Sequence, residues 1–124
     1  MDKKKIFGLR GATRALNTQS DIAKQTIAMY DELLKGNELS EPDLISVVFS
    51  VTPDLTAKNP ASALRQEGRA GETALFVTQE ACFEGSLERV IRVLIHCYLD
   101  VTRKPVHVYR NGAEVLRPDR KQVQ

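Results

Sequence analysis

The chain has 124 residues, of which 42% are hydrophobic and 27% charged, with a net charge of +2 at neutral pH. This composition is typical of a globular protein, and the length predicts one domain with little room for a deep pocket of its own. The charges are dispersed, with no basic stripe and no interleaved aromatic residues, so nucleic acid is not an expected partner. No apolar run is long enough to cross a bilayer and no leader is visible, which favours a cytoplasmic protein without a membrane partner.

A strand is predicted at the start of the chain. Residues 6–10 alternate between two faces, which is typical of a strand that presents Arg10 at its end. Gly11 would then let the chain turn closely past whatever Arg10 holds. This segment is the first candidate ligand contact.

One long amphipathic helix follows. Thr18 and Asp21 resemble a capping signal, and apolar residues then recur at helical spacing until Gly36 offers a left-handed stop. Residues 40–43 predict a short turn or helical cap. The β-branched, apolar segment 45–51 predicts a buried strand.

The next three elements are shorter or less certain. Residues 60–67 can form two helical turns, and residues 73–78 form a strand pattern after two glycines. Residues 90–99 alternate, with Ile91 on one face and Arg92 on the other. Their β-branched residues favour a strand, although a helix over the same stretch stays possible.

The C-terminal part predicts a hairpin. Asn111-Gly112 is a strong signal for a two-residue turn that pairs residues 106–110 with 113–116. Residues 116–124 are expected to form a flexible tail of the single domain 1–124. The whole pattern predicts an α+β fold: a mixed β-sheet of about five strands packed against one main helix.

Neither a metal nor a cofactor is predicted. Cys82 and Cys97 lack metal-ligand spacing and a matching histidine cluster, so they are interpreted as reduced packing residues. His96 and His107 are interpreted as structural, because no nucleophile or second ligand has suitable spacing. No catalytic triad, phosphate loop or dinucleotide fingerprint is present in the sequence.

The main candidates for ligand binding are four arginines in distinctive contexts: Arg10, Arg65, Arg92 and Arg117. A guanidinium group is costly to bury unless it meets an anion, and its planar fork matches a carboxylate. Taken singly, Arg10, Arg65 and Arg117 could each be a surface residue whose aliphatic part covers apolar area. Arg92 has apolar neighbours on both sides, which favours either an ion pair or a ligand. The sequence therefore predicts a small, multiply anionic ligand.

Two further side chains are candidates. Glu80 follows a predicted strand and precedes a loop, where side chains commonly line a site. Its alternative role is an ion pair with an arginine such as Arg92. Tyr109 belongs either to a site or to a half-buried position with its hydroxyl in water.

An ordered set of motifs spans residues 6–119: I-F-G-L-R-G-A-T, S-V-T-P-D-L, P-A-S-A-L-R, T-Q-E, G-S-L-E-R-V-I-R-V-L-I, H-V-Y and V-L-R-P-D. Together they resemble the monofunctional chorismate mutases of the trimeric AroH class. The resemblance implies the Claisen rearrangement of chorismate to prephenate, the committed step toward phenylalanine and tyrosine. It also implies a homotrimer with an active site at each subunit interface.

The resemblance also implies the site residues. Carried over by position, the substrate contacts are Arg10, Phe76, Val77, Thr78, Gln79, Glu80, Arg92 and Tyr109, with Arg65 and Arg117 in support. Arg92 and Glu80 are the implied catalytic residues: Arg92 would place positive charge beside the ether oxygen, and Glu80 would accept from the ring hydroxyl. Arg10 and Tyr109 would hold a carboxylate. A unimolecular rearrangement needs neither a metal nor a cofactor.

Three positions depart from the family pattern. Val77 stands where many members have a cysteine, Asn59 where some have an aromatic residue, and Cys82 where an aspartate is usual. Two alternatives stay open because fold alone does not fix function. One is a non-catalytic anion-binding or regulatory trimer on the same scaffold. The other is an interaction module whose arginines pair with acidic partners.

Overall fold

The structure is a computed structural model that describes residues 3–116. Its strands are β1 (Lys4–Arg14), β2 (Leu44–Val51), β3 (Ala74–Gln79), β4 (Val90–Asp100) and β5 (Val108–Arg110), and its α-helices are α1 (Gln19–Gly36) and α2 (Pro60–Gln66). Short 3-10 helices span Glu41–Asp43 and Ala113–Leu116. The predicted strand over 90–99 is thus confirmed, and the helical alternative for this stretch is wrong.

The strands form one mixed sheet in the order β3-β2-β4-β1-β5. The central strand β4 pairs antiparallel with β1 and β2, whereas the pairs β1–β5 and β2–β3 are parallel. The predicted α+β class, with a mixed five-stranded sheet against one main helix, is confirmed.

The hydrophobic core lies on one face of the sheet, beneath the helices. Strand alternation sends every second side chain of β1, β2 and β4 to this face, where they meet apolar residues of α1 and α2. The largest buried members include Leu9, Ile22, Met29, Leu33, Phe49, Leu64, Ile91 and Ile95. Burial of each such side chain contributes about 1.5–3 kcal/mol. No helix of residues 3–116 is long and apolar enough to cross a membrane.

Helix α1 begins as the sequence predicts but ends differently. The Thr18 hydroxyl accepts a hydrogen bond from the Asp21 backbone N–H at 3.1 Å, which confirms the capping signal. At the other end, Gly36 is still helical, and Glu38 takes the left-handed conformation with φ of 54°. The buried Asn37 side chain explains the extension, because it bonds both the backbone N–H and the backbone carbonyl of Val106, at 2.8 and 2.9 Å. The prediction of a left-handed stop at Gly36 is wrong.

Gly11 has a packing role rather than a turning role. Strand β1 continues to Arg14, so Arg10 lies mid-strand and not at a strand end. A Cβ atom at Gly11 would lie 2.9 Å from Val93 Cγ1 and 3.0 Å from Leu33 Cδ1. Helix α1 therefore approaches the sheet closely at this position, and the prediction that Gly11 turns the chain past a ligand is wrong.

The predicted C-terminal hairpin is also wrong. Asn111 and Gly112 adopt positive φ angles of 52° and 96° as predicted, but a 3-10 helix follows them. The Asn111 side-chain amide donates to Gln25 Oε1 at 2.6 Å, and Ala113 packs against Ala12, so tertiary contacts direct the chain away from strand pairing. The expected flexible tail lies outside the described residues apart from Leu116, and Arg117 lies outside them as well.

Candidate active site

The face of the sheet opposite the helices, termed the open face here, carries one row of side chains drawn from every strand. In strand order the row is Thr78, Ser50, Arg92, Ala12 and Tyr109, each the register partner of the next. A second row beside it contains Phe76, Val48, Leu94 and Arg10. The pairing thus places two of the predicted arginines and Tyr109 near one another.

These rows border a pocket with a volume of about 250 Å³. It is lined by Arg10, Gly11, Ala12, Val48, Ser50, Arg92, Val93, Leu94 and Tyr109. An apolar lining with a few polar groups is typical of a small-molecule site. Two guanidinium groups among those polar groups favour an anion.

Glu80 contacts the Arg92 side chain at the edge of this pocket. Its Oε1 atom lies 3.0 Å from Arg92 Nε and accepts a hydrogen bond from the Ser50 hydroxyl at 3.1 Å. The Glu80 backbone N–H bonds the Val51 carbonyl at 2.8 Å, which fixes the start of the loop after β3. The ion pair with Arg92, which the sequence offers as the alternative role of Glu80, is present.

Arg92 is more exposed than the sequence predicts. Its apolar neighbours Ile91 and Val93 face the core, whereas its own side chain is 45% exposed on the open face. An ion pair at this exposure contributes at most about 1 kcal/mol to stability. The contact between Arg92 and Glu80 therefore orients side chains more than it stabilises the fold.

The predicted segment 76–80 divides between the two faces of the sheet. Phe76 and Thr78 point to the open face, but edge strand β3 is separated from Arg92 by the whole of β2. Val77 packs against the helix-side core, and Gln79 shares its side of the strand. None of these four lines the pocket of its own chain.

Arg65 lies away from the pocket as well. It is on α2, and its Nη2 atom donates to the Thr73 carbonyl at 3.2 Å. The described chain therefore brings together Arg10, Glu80, Arg92 and Tyr109, and it does not bring Arg65 to them.

Both histidines make contacts between neighbouring segments of the sheet, which agrees with their interpretation as structural residues. His107 Nδ1 accepts from the Arg10 backbone N–H at 2.9 Å, which fixes the main chain beside the pocket. His96 Nδ1 lies 3.1 Å from the Ser46 hydroxyl across β2 and β4.

Ser50 is a polar pocket residue that is not among the candidates predicted from the sequence. Alternation along β2 predicts that Ser50 and Val48 share a face, and this signal is present in the sequence. The partner of Ser50 depends on register, and a shift between Leu44 and Ser46 sets the pairing with β4. A local pattern does not reveal that shift.

Residues 3–116 contain no group of three His, Cys, Asp or Glu side chains that could hold a metal ion. Cys82 is exposed and Cys97 is buried, and neither forms a disulfide. Desolvation raises the pKa of the Cys97 thiol to about 11, which makes it a packing group rather than a nucleophile.

The fold and the pocket define a small α+β protein with a cationic site on an open sheet face. Comparison with known proteins identifies the family. The family model for chorismate mutase type I matches residues 6–120. The chorismate mutase AroH of Bacillus subtilis is 33% identical over 116 residues, which cover 92% of this chain and 91% of the relative. The chorismate mutase AroH of Thermus thermophilus is 39% identical over 117 residues, covering 92% and 95%.

A solved structure agrees with these relatives. The chorismate mutase of Clostridium thermocellum superposes with a TM-score of 0.80 at 40% identity, covering 88% of this chain and 98% of that one. The chain belongs to the chorismate mutase type I family. The predicted resemblance is confirmed, and with it the assignment to an isomerase of aromatic amino acid biosynthesis.

Proposed function

We propose that the chain converts chorismate to prephenate in the open-face pocket. The observation that carries this proposal is the convergence of Arg10, Arg92 and Tyr109 on one pocket, with Glu80 beside Arg92. Chorismate presents two carboxylates, a ring hydroxyl and an ether oxygen. The pocket offers cationic groups, a phenol and a carboxylate acceptor, so the two sets of groups are complementary.

The reaction is a cyclic electron shift within one molecule. The carbon–oxygen bond of the ether breaks while a carbon–carbon bond forms between the enolpyruvyl arm and the ring, and no proton leaves or enters. The protein has two tasks: to hold the arm over the ring and to stabilise negative charge on the ether oxygen as its bond stretches. Arg92 performs the second task, because its guanidinium lines the pocket and its position is fixed by Glu80.

Arg10 and Tyr109 perform the first task by holding a carboxylate. Both line the pocket, one from β1 and one from β5, and the Arg10 backbone is fixed by its bond to His107. Glu80 accepts from the ring hydroxyl. Its Oε1 atom already contacts the Ser50 hydroxyl and Arg92 Nε. The hydrogen bond from the ring hydroxyl is therefore accepted by Oε2.

The active form proposed is a homotrimer with sites at the subunit interfaces. Support comes from the open face, where Ile6 is 56% exposed, Phe76 63% and Tyr98 45%, an apolar surface of the kind that marks an interface. In this assembly Phe76, Thr78 and Arg65, which lie apart from the pocket of their own chain, would belong to the site of a neighbouring subunit. The roles of Val77, Gln79 and Arg117 in substrate binding stay predictions.

A cytoplasmic location is part of the proposal. It is supported by the two cysteines, which are unbonded and of which Cys97 is buried as a packing residue. Reduced cysteines are typical of proteins in a reducing compartment.

The direct test is incubation of the purified protein with chorismate. Loss of chorismate absorbance together with formation of prephenate is the expected result. Binding of chorismate without turnover would instead favour the non-catalytic anion-binding protein on the same scaffold. If the protein neither binds nor converts chorismate, the remaining alternative is an interaction module whose arginines pair with acidic partners.

A further inference from the structure

The contact between Arg92 and Glu80 differs from the usual pairing of a guanidinium with a carboxylate. Such groups commonly pair through two parallel hydrogen bonds. Arg69 and Asp31 show that form in this chain, with Nε to Oδ1 and Nη2 to Oδ2 both at 2.7 Å. Arg92 and Glu80 approach most closely through Nε and Oε1 at 3.0 Å.

Ser50 accounts for the difference. It stands directly opposite Arg92 in the register of β2 and β4, and its hydroxyl donates to the same Oε1 atom at 3.1 Å. A donor on Oε1 fixes the orientation of the carboxylate. This hydrogen bond therefore restrains the carboxylate in the position in which its closest contact with Arg92 runs from Oε1 to Nε.

We propose that Ser50 is a positioning residue that keeps Glu80 out of two-bond pairing with Arg92, so that the terminal N–H groups of Arg92 serve the ligand in the pocket. This inference rests on the proposed function. Ser50 itself lines the pocket.

Removal of the hydroxyl should change turnover more than binding. In Ser50→Ala, Glu80 can rotate into two-bond pairing with Arg92, and the terminal N–H groups are then withdrawn from the ether oxygen. A hydrogen bond to a charged group is worth enough to predict a decrease of about tenfold or more in kcat. KM should change less, because Arg10 and Tyr109 still hold the carboxylate.

Two variants separate this role from a general effect on the strand. Ser50→Thr retains a hydroxyl and suits a strand position, so it should recover most of the lost kcat. Ser46→Ala is the matched control. Ser46 lies on the same strand and face, and its hydroxyl contacts His96 of β4 at 3.1 Å, but it is outside the pocket. Its kcat should equal that of the unaltered protein.

A double-mutant cycle shows whether Ser50 acts through Glu80. If it does, adding Ser50→Ala to Glu80→Gln should lower kcat by less than about twofold, although it lowers kcat about tenfold alone. Equal effects in both backgrounds would overturn the proposal.

An NMR measurement tests the geometry without any turnover. In ¹⁵N-arginine-labelled protein, the Nε–H signal of Arg92, assigned with Arg92→Lys, should move toward the signal of Arg69 when Ser50 is replaced by Ala. If chorismate is not converted by the unaltered protein, the proposed function fails while this spectrum still tests Ser50. An unchanged Arg92 signal, or an unchanged kcat in an active enzyme, would overturn the role of Ser50.

Discussion

Arg92 and Tyr109 lie in one row across the open face, separated by the single residue Ala12. Two strand spacings correspond to about 10 Å between their backbones. Ala12 lies between the cation and the phenol and lines the same pocket. This spacing suits one small dianion held between the two groups, which is the basis of the substrate proposal.

Arg10→Ala should act mainly on substrate binding. A contact to a carboxylate persists from ground state to transition state, so its loss raises KM more than it lowers kcat. Arg103→Ala provides a control with the same change of charge, because Arg103 pairs with Glu38 at 2.9 Å and does not line the pocket. Steady-state kinetics of both variants would check this. A decrease confined to kcat in Arg10→Ala would contradict the assigned role.

Assembly should depend on the open face. Ile6 pairs with Tyr98 there, and both are exposed in the single chain. Ile6→Glu would bury a charge if another subunit covers this surface, so we expect dissociation and loss of activity. Light scattering on both proteins measures the effect. An unaltered protein that is monomeric and fully active at the assay concentration would exclude interface sites.

Tyr30→Phe should lower the stability of the fold without altering the pocket. The buried Tyr30 hydroxyl donates to Glu41 Oε2 at 2.6 Å, and the Ala70 backbone N–H donates to the same oxygen at 2.7 Å. Desolvation, with the nearby Glu41 carboxylate, raises the pKa of Tyr30, so the phenol stays protonated as a donor. Loss of a hydrogen bond to a charged group should reduce the free energy of unfolding by about 1.5–3 kcal/mol, measured with urea. Activity in the absence of urea should be retained, and a decrease in kcat would contradict this assignment.

Acid should weaken the start of α1 through Asp21. The Leu16 backbone N–H, bonded to Oδ2 at 2.7 Å, holds the pKa of this carboxyl below its usual value. Because the folded pKa lies below the unfolded one, the stabilisation is complete above about pH 4 and is lost as pH falls through the folded pKa. Asp21→Asn removes a negative charge from the first turn of α1 and should therefore lower the free energy of unfolding at pH 7 by about 0.3–1 kcal/mol.

The difference in free energy of unfolding between the unaltered protein and Asp21→Asn should depend on pH. Unfolding curves of the unaltered protein and Asp21→Asn should converge as the pH falls below about 4. A difference that stays constant from pH 7 to pH 3 would show that the charge of Asp21 is not what stabilises the helix.

The elements that the sequence predicts well are those fixed by neighbouring residues. The cap of α1 depends on Thr18 and Asp21, three positions apart, and the Thr18 hydroxyl accepts from the Asp21 N–H as predicted, whereas the Asp21 carboxylate bonds the Leu16 N–H. The alternation of apolar residues in β4 likewise predicts its two faces, and Arg92 lies on the face opposite Ile91 as that pattern predicts. In both cases residues close together in the sequence are enough to predict the structure.

The elements that the sequence predicts poorly depend on residues far apart in the chain. Gly11 is constrained by Val93 and Leu33, which no local pattern connects to it. Ser50 meets Arg92 only through the register of β2 on β4. The position of Arg10 and Tyr109 in one pocket follows from a parallel pairing of β1 with β5 that the sequence does not reveal.

The central claim is that Arg92 stabilises charge in the transition state, and Arg92→Ala tests it most directly. Steady-state kinetics with chorismate, on protein first checked for fold and assembly, should show kcat reduced far more than KM is raised. By analogy with removal of a preorganised oxyanion donor, the loss should be about 3 kcal/mol or more. Arg92→Lys should recover only part of it, because an ammonium cannot reproduce the planar fork. A near-normal kcat with weaker substrate binding in Arg92→Ala would contradict the account and favour the anion-binding alternative.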